Sequence, residues 1–364
     1  MQIYVVGGAV RDRLLGLPVH DRDYVVVGAT PKEMVKLGYL PVGRDFPVFL
    51  HPTTKEEYAL ARTERKTAPG YAGFTFHADP SVTLEEDLGR RDLTINAMAE
   101  TLDGSVLIDP ADGLADLKAR LFRHVGPAFA EDPVRLLRLA RFAARFTEFE
   151  VASDTMALLR TMVSDGEVDA LVTERVWAEI SRGLMAAKPS RMLLLLDAVG
   201  ALPRIMVGAP IDSAALYALD LAAAEDEPLG IRLAVWLVAG GLNAAQVESC
   251  CDALRVPSDL RTLAVLLARL HPRILRAAAM SAPELLDLIE EGDAFRRSDR
   301  FAELLKASTR LGPAAEQSRH ERILTALDLV KRIDARVVTS GMAGTEAKLA
   351  MRAARLHALD VGLS

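Results

Sequence analysis

The chain opens on an apolar run at residues 3–6, breaks at Gly7-Gly8, and regains an apolar run at 24–27. Runs this short, bounded by glycine and polar turns, predict buried strands, with a helix opening at Arg11 and Asp12 between them. The second strand is expected to carry Asp21 and Asp23, which at i and i+2 project from one face. Thr30-Pro31 pairs an N-cap residue with a first-turn proline, predicting a helix over 31–37 that Gly38 ends. Segments 41–51 and 57–62 read as further strands. The second of these places Glu57, Ala59 and Ala61 on one face and Tyr58 and Leu60 on the other. Residues 65–83, rich in Gly, Pro, Ala and Thr and without a period, read as a mobile loop. Helical spacing resumes over 84–99, and the turn-rich stretch 109–117 marks a boundary.

Beyond about residue 118 the alternating pattern is gone and helical spacing dominates. Pro133, after Glu131 and Asp132, suits a helix start. In that helix Arg135, Arg138 and Arg141 form a basic stripe, and Leu136, Leu139, Ala140 and Ala143 form the apolar side. Helices are expected over 154–162, 173–185 and 189–199, the second capped by Thr173. From Gly200 the chain is rich in Ala and Leu with Pro and Gly breaks, and shows no chemical constellation. The pattern predicts an α+β segment over 1–117, a helical segment over 118–200 and a second helical segment over 201–364.

Composition adds little to this picture but excludes some classes. The 364 residues are 50% hydrophobic and only 5% aromatic, which suits a mainly helical protein. No apolar run approaches the roughly 18–20 residues of a membrane span, and no basic segment precedes the first strand, so a cytoplasmic protein is expected. The two cysteines, Cys250 and Cys251, are adjacent and read as reduced core residues. A net charge of −6 excludes a uniformly basic nucleic-acid binder. It leaves room for a local track: from Lys118 to Arg145 stand seven Lys/Arg against two acids.

The opening stretch carries the chemistry. Carboxylates as close as Asp21 and Asp23 repel unless a cation sits between them. A hard divalent ion with oxygen ligands, Mg²⁺ beside a phosphate-bearing substrate, fits that spacing best. Gly7 and Gly8 let the backbone approach an anion at the helix N-terminus. Singly, each feature also suits a solvated strand end or an ordinary turn; together, between two apolar strands, they indicate nucleotidyl transfer. Glu57 reads either as a third carboxylate of that site or as a solvated strand-edge residue. Arg90 and Arg91 suit either a surface face or neutralisation of phosphate oxygens.

One ordered set of motifs is more specific than any of its members: GGAVRD at 7–12, DRD at 21–23, RRDLTINAM at 90–98, DPADGLADL at 109–117, EDPVRLLRLARFAAR at 131–145 and TERVWAEI at 173–180. In this order they closely resemble the bacterial class II CCA-adding enzymes, or tRNA nucleotidyltransferases, strongly over 1–205 and weakly beyond. The resemblance implies a polymerase-β-like nucleotidyltransferase head with a small mixed sheet, followed by an all-α neck, body and tail. It implies addition of C, C and A to tRNA 3′ ends from CTP and ATP, with the acceptor end and top half of tRNA as partner; monomer and weak dimer both stay open. By motif position, Asp21 and Asp23 would hold the metal, Gly8, Arg11 and Arg91 the triphosphate and sugar, and Asp132, Arg135 and Arg138 would read the base.

Base selection follows from hydrogen-bond polarity. Cytosine and adenine each offer an amino donor beside a ring-nitrogen acceptor, which a carboxylate (Asp132) and a guanidinium (Arg135) complement. Uracil and guanine reverse that order, leaving unpaired groups that impose the discrimination. Asp132 is also the helix-cap candidate, and the two roles compete. Many relatives carry a His-Asp metal domain with hydrolase activity; here the only such dipeptide is His20-Asp21, inside the head motif, so no hydrolase is expected. The presence of the 65–83 loop favours full CCA addition over CC alone. Bacterial poly(A) polymerases share the head but typically carry a basic pair where this chain has Gly43-Arg44-Asp45-Phe46, and Asp45 argues against them. A non-catalytic RNA-binding protein on the same fold is disfavoured by the intact Gly8, Asp21, Asp23 and Arg91.

Overall fold

A computed structural model describes residues 1–42, 48–66, 74–77, 79–311 and 317–363. The chain divides into two compact units, Met1–Val176 with Leu195–Ile205, and Trp177–Leu194 with Met206–Ser364. The boundary expected at residue 117 lies inside the first unit.

The apolar run at 24–27 becomes the central strand of a seven-stranded sheet. In chain order the strands are β1 (Gln2–Val6), β2 (Asp23–Val27), β3 (Leu40–Val42), β4 (Val48–Leu50) and β5 (Glu57–Leu60). A hairpin outside the sheet, β6 (Thr63–Lys66) and β7 (Phe74–His77), precedes the last two sheet strands, β8 (Ala99–Thr101) and β9 (Leu107–Ile108). The spatial order is β3-β4-β5-β2-β1-β8-β9. Within this sheet β2 and β5 pair in parallel and the other neighbours antiparallel, so the expected small mixed sheet is present. Tyr24, Val25 and Val26 are buried one after another, as a strand covered on both faces requires. Val6, Val25 and Ala61 pack on Leu84, Leu88, Ala97 and Ala99, which covers the face that carries Asp23.

Four details depart from the pattern-based reading. The presumed loop at 65–83 contains the end of β6 and all of β7, which pair antiparallel with each other; residues 67–73 and 78 lie outside the described residues. The helix expected over 84–99 stops as α3 (Leu84–Gly89) and gives way to one tight turn, Thr94–Asn96, before β8. Its apparent period came from Leu93, Ile95, Ala97 and Met98, which are buried on all sides. Beyond residue 118 a two-residue parallel pair remains, β10 (Leu121–Phe122) with β11 (Glu150–Val151). Arg11 and Asp12 lie midway along α1 (Gly8–Leu14) instead of opening it.

The remaining first-unit helices are α2 (Pro31–Lys36), capped by Thr30 and Glu33 as its sequence requires, α4 (Gly113–Ala119), α5 (Val134–Arg145) and α6 (Ser153–Ser164). Helices α7 (Thr173–Leu184) and α8 (Ser190–Ala198) each begin in one unit and end in the other, and α9 (Leu202–Ile205) belongs to the first. The second unit continues through α10 (Ser213–Ala224), α11 (Leu229–Ala239), α12 (Ala244–Ala253), α13 (Ser258–Ile274), α14 (Ala282–Glu291), α15 (Ser298–Thr309), α16 (Gln317–Lys331), α17 (Ala335–Val338) and α18 (Gly344–Gly362). Among the described residues, no helix is long and apolar enough to cross a membrane. Cys250 and Cys251 are free and buried, and burial pushes their thiols up to about 11 and about 12, which keeps them protonated.

One buried arginine organises the start of the second unit. Arg232, 2% exposed, donates to the carbonyls of Glu227 at 2.6 Å, Leu184 at 3.1 Å and Ala186 at 3.2 Å. It thereby satisfies acceptors that the C-terminus of α7 leaves without intrahelical partners. Arg232→Met should leave those carbonyls unpaired and cost about 3 kcal/mol of stability. Thermal unfolding of the purified variant checks this, and a melting temperature equal to wild type would refute it.

Candidate active site

Register puts the candidate carboxylates at one end of the sheet. Asp23 is the first residue of β2, opposite Val6 at the end of β1 and opposite Glu57 at the start of β5. Asp23 and Glu57 therefore share a face, as the alternation at 57–61 requires. Asp21 lies before the strand, not in it. The reason is local: β1 ends at Val6, and Gly7, at φ +70°, turns the chain into α1, leaving nothing for residues 21 and 22 to pair with. Asp21, Asp23 and Glu57 are all exposed. The carboxyl of Asp23 is held above its ordinary range, first by the protein crowding it and then by Asp21, while Arg91 and Arg138 pull it back. Asp23, Asp21, Arg91 and Arg138 thus act on one another across one site.

Arg91 sits against the glycine turn. The left-handed backbone at Gly7 favours glycine, and a Cβ there would stand 2.9 Å from Arg91 Nη1 and push the end of that side chain aside. Arg91 Nη2 donates to Asp87 Oδ2 at 3.2 Å, and Arg91 Nε is buried without a hydrogen-bond partner. Gly8 opens α1, with its backbone at the helix N-terminus as expected.

Arg11 is placed differently from a residue reaching into solvent. Its guanidinium, 4% exposed, donates to Asp12 Oδ1 at 2.8 Å and Asn96 Oδ1 at 2.5 Å. It also lies over the rings of Phe142 and Phe146 at 5.2 and 5.0 Å. Burial lowers its pKa, with Asp12 opposing the effect. Asp12 Oδ2 in turn accepts from Arg145 at 2.7 Å. Asp92 accepts from Arg138 Nε at 2.9 Å, Asn96 Nδ2 at 3.0 Å and the Leu93 N–H at 2.8 Å. Burial alone would raise the Asp92 carboxyl, but Arg138 and these donors outweigh it and hold it near about 2.

The base-reading candidates stand on α5 and just before it. Asp132 does cap the helix start, accepting from the Val134 N–H at 3.1 Å, and its other oxygen takes Arg175 Nη2 at 3.1 Å. Arg135 Nη1 donates to the Ala128 carbonyl at 3.0 Å and the Arg91 carbonyl at 3.5 Å. Asp132 and Arg135 are therefore engaged separately in this structure. The turn-rich motif at 109–117 supports the site from below. Asp109 accepts from the N–H groups of Gly113 and Leu114, and Asp116 accepts from Thr94 Oγ1 at 2.8 Å and from Arg123 at 3.2 Å. A Cβ on Gly113 would meet the Thr94 carbonyl.

Sequence reasoning did not single out Asp12, Asn96, Arg145 or Arg175. Asp12 and Asn96 are buried partners of Arg11, Arg145 reaches Asp12 from α5, and Arg175 pairs with Asp132; each stood inside a quoted motif, which was the available signal. Among the described residues no three His, Cys, Asp or Glu side chains converge as a ready metal cage. A pair of carboxylates still fits a divalent ion whose remaining ligands are waters and substrate phosphates. Gly43, Arg44, Asp45 and Phe46 lie outside the described residues.

Paired carboxylates at the end of a mixed sheet, faced by arginines beside a Gly-Gly turn, define a polymerase-β-like nucleotidyltransferase. A family model described as the poly A polymerase head domain matches residues 3–123. Over its whole length the chain is 49% identical to the multifunctional CCA protein of Burkholderia cenocepacia, covering 100% of this chain and 99% of that one. The protein of that name from Burkholderia pseudomallei is likewise 49% identical, with 99% and 98% covered. The chain belongs to this family of multifunctional CCA proteins. Among solved structures, a tRNA-processing enzyme in an apo form is 26% identical with a TM-score of 0.66, covering 98% of this chain and 92% of that one. The CCA-adding enzyme of Bacillus stearothermophilus in complex with CTP shares the fold, with a TM-score of 0.73 at 24% identity, covering 99% and 89%.

Asp92 gives a pH signature. Its folded pKa lies below the unfolded one, so its contribution is present above the ordinary carboxylate range and is lost as pH falls towards about 2. Denaturation between pH 5 and pH 2 should show about 2 kcal/mol of acid destabilisation from this group. Asp92→Asn should lack that component, and an unchanged acid limb would show that Asp92 is not the group responsible.

Proposed function

We propose that this enzyme adds C, C and A to the 3′ end of tRNA from CTP and ATP without a nucleic-acid template. The observation that carries the reading is the placement of Asp23, with Asp21 beside it, under the electrostatic reach of Arg91 and Arg138, in a chain 49% identical along its whole length to multifunctional CCA proteins. In each cycle the tRNA 3′-oxygen forms a bond to the α-phosphorus, the bond from that phosphorus to the bridging oxygen breaks, and pyrophosphate leaves. A divalent ion held by Asp21 and Asp23, Mg²⁺ by its preference for oxygen ligands, would favour the ionised 3′-hydroxyl and the charge on the leaving group. Arg91, partly exposed beside the glycine turn, neutralises triphosphate oxygens. The backbone at Gly8 receives phosphate at the start of α1. Glu57, opposite Asp23 in register, is the third carboxylate at this end of the sheet.

Asp132, Arg135 and Arg138 face the incoming base in this reading. Asp132 and Arg135 must exchange Arg175 and the Ala128 carbonyl for the Watson–Crick edge, and that exchange is the cost of keeping them ordered between cycles. Arg11, enclosed by Asp12, Asn96 and two phenyl rings, acts by fixing α1 beneath the nucleotide. The acceptor end and top half of tRNA lie on the basic face of the 118–145 segment and on the helical second unit, recognised through shape and backbone. The reaction belongs to the cytoplasm. The aligned length of 411 residues exceeds this chain's 364, so its relatives carry residues that it lacks, and no hydrolase is proposed.

Two measurements test the reading. Purified protein with tRNA lacking its terminal trinucleotide should incorporate two C and one A; AMP alone, in long tracts, would instead mark a poly(A) polymerase. Asp21→Ala and Asp23→Ala should each cut incorporation by at least about a thousandfold while tRNA binding stays within about twofold. With all four nucleotides offered, Asp132→Ala and Arg135→Ala should raise UTP and GTP incorporation relative to wild type, and an unchanged ratio would end their base-reading role.

A further inference from the structure

Asp87 stands outside every motif considered above, yet it is the most enclosed carboxylate near the site. It is fully buried near the end of α3 and accepts from three residues: Arg90 through Nη2 at 2.9 Å and Nε at 3.3 Å, Arg91 Nη2 at 3.2 Å and the backbone N–H of Arg62 at 3.3 Å. Arg90 closes the loop by donating Nε to the Arg62 carbonyl at 3.0 Å. Arg62 is the residue between the end of β5 and the start of β6. A single carboxylate therefore holds Arg91 and, by both polar groups of the Arg62 backbone, the root of the β6–β7 hairpin.

We propose that Asp87 is a positioning residue for nucleotide binding, which sets the Arg91 guanidinium against Gly7 and couples it to the hairpin root. This rests on the reading of Arg91 as a nucleotide-binding residue. Asp87 anchors the Arg91 guanidinium through Nη2, and the missing side chain at Gly7 leaves room for Nη1 beside the turn. Fixing a long arginine in advance removes rotamer entropy that the nucleotide would otherwise have to offset. Because Arg90 and the Arg62 backbone share the same carboxylate, a shift of the hairpin is transmitted to Arg91 without contact between the hairpin and the nucleotide. Asp87 touches no substrate.

The test is a double-mutant cycle on nucleotide KM, using full-length enzyme, CTP with tRNA lacking CCA, and ATP with tRNA ending in CC. Asp87→Asn keeps the shape and one acceptor oxygen but removes the charge, and should raise both nucleotide KM values roughly tenfold with KM for tRNA unchanged. In an Arg91→Ala background the same change should add less than about twofold, because its effect passes through Arg91. A merely structural role would lower stability and multiply the defect equally in both backgrounds, and that additivity would overturn the proposal. Arg91→Lys covers the case in which Asp87→Asn does not fold. A lysine gathers its donors at one atom and lacks the planar fork that lets Arg91 hold Asp87 with one edge and a phosphate with another, so this variant should match Arg91→Ala in nucleotide KM within about threefold. Near-normal KM for Arg91→Lys would overturn the positioning role. Normal KM for Arg91→Ala would remove the nucleotide-binding assignment of Arg91, and a wild-type enzyme that adds neither C nor A would remove the proposed function; either result takes the role of Asp87 with it.

Discussion

The first unit depends on a network of charges whose centre is buried and whose outer arginines reach in from the surface. Arg11, Asp12, Asn96 and Asp92 are buried, and Arg138 and Arg145 reach in from α5 to complete their pairing. Removing one partner from such a set strands a charge in low dielectric, which costs more than the pair itself contributes. The pairs thereby tie α1, the Asp92–Asn96 turn and α5 to one another. It is this that brings Arg138 within electrostatic reach of Asp23, although 115 residues of chain separate the two. Phe142 and Phe146 exclude water beneath Arg11 and so strengthen the same pairs.

The second unit is held in a contrasting way. Around Arg232 and Trp236 it is a buried helical core in which both side chains donate to backbone carbonyls and Arg232 also reaches Asp226. At its far end α18 buries only one of its 19 residues fully, Leu359, and is clasped instead by Arg352 to Asp287 and Glu290 and by Arg355 to Glu290 and the ring of Phe295. Ion pairs of this half-exposed kind contribute little each and weaken with salt. The unit therefore grades from a rigid start to an electrostatically attached end.

How much of this was legible depends on the range of the interaction. Strand alternation placed Glu57, Ala59 and Ala61 on one face, and the register confirms that face as the one carrying Asp23. The mixed sheet and the helical remainder followed from runs, caps and an ordered motif set. Three things were hidden because they are decided across the fold. Asp21 left the strand because β1 offers it no ladder partner. The hairpin at 63–77 formed because its two arms have each other, whatever their composition. Arg11 turned inward because Asn96, Phe142 and Phe146, distant in sequence, enclose it. Arg175 stood in plain view within TERVWAEI, but nothing local ties it to Asp132.

Gly7 carries a consequence at the level of the gene. Its backbone is left-handed, and the space where a side chain would begin is taken by Arg91. Every missense change reachable by one base from a glycine codon installs at least a Cβ. Position 7 therefore has no unstrained neighbour in sequence space: any such change puts a side chain on a left-handed backbone, a strain that no change at residue 91 relieves.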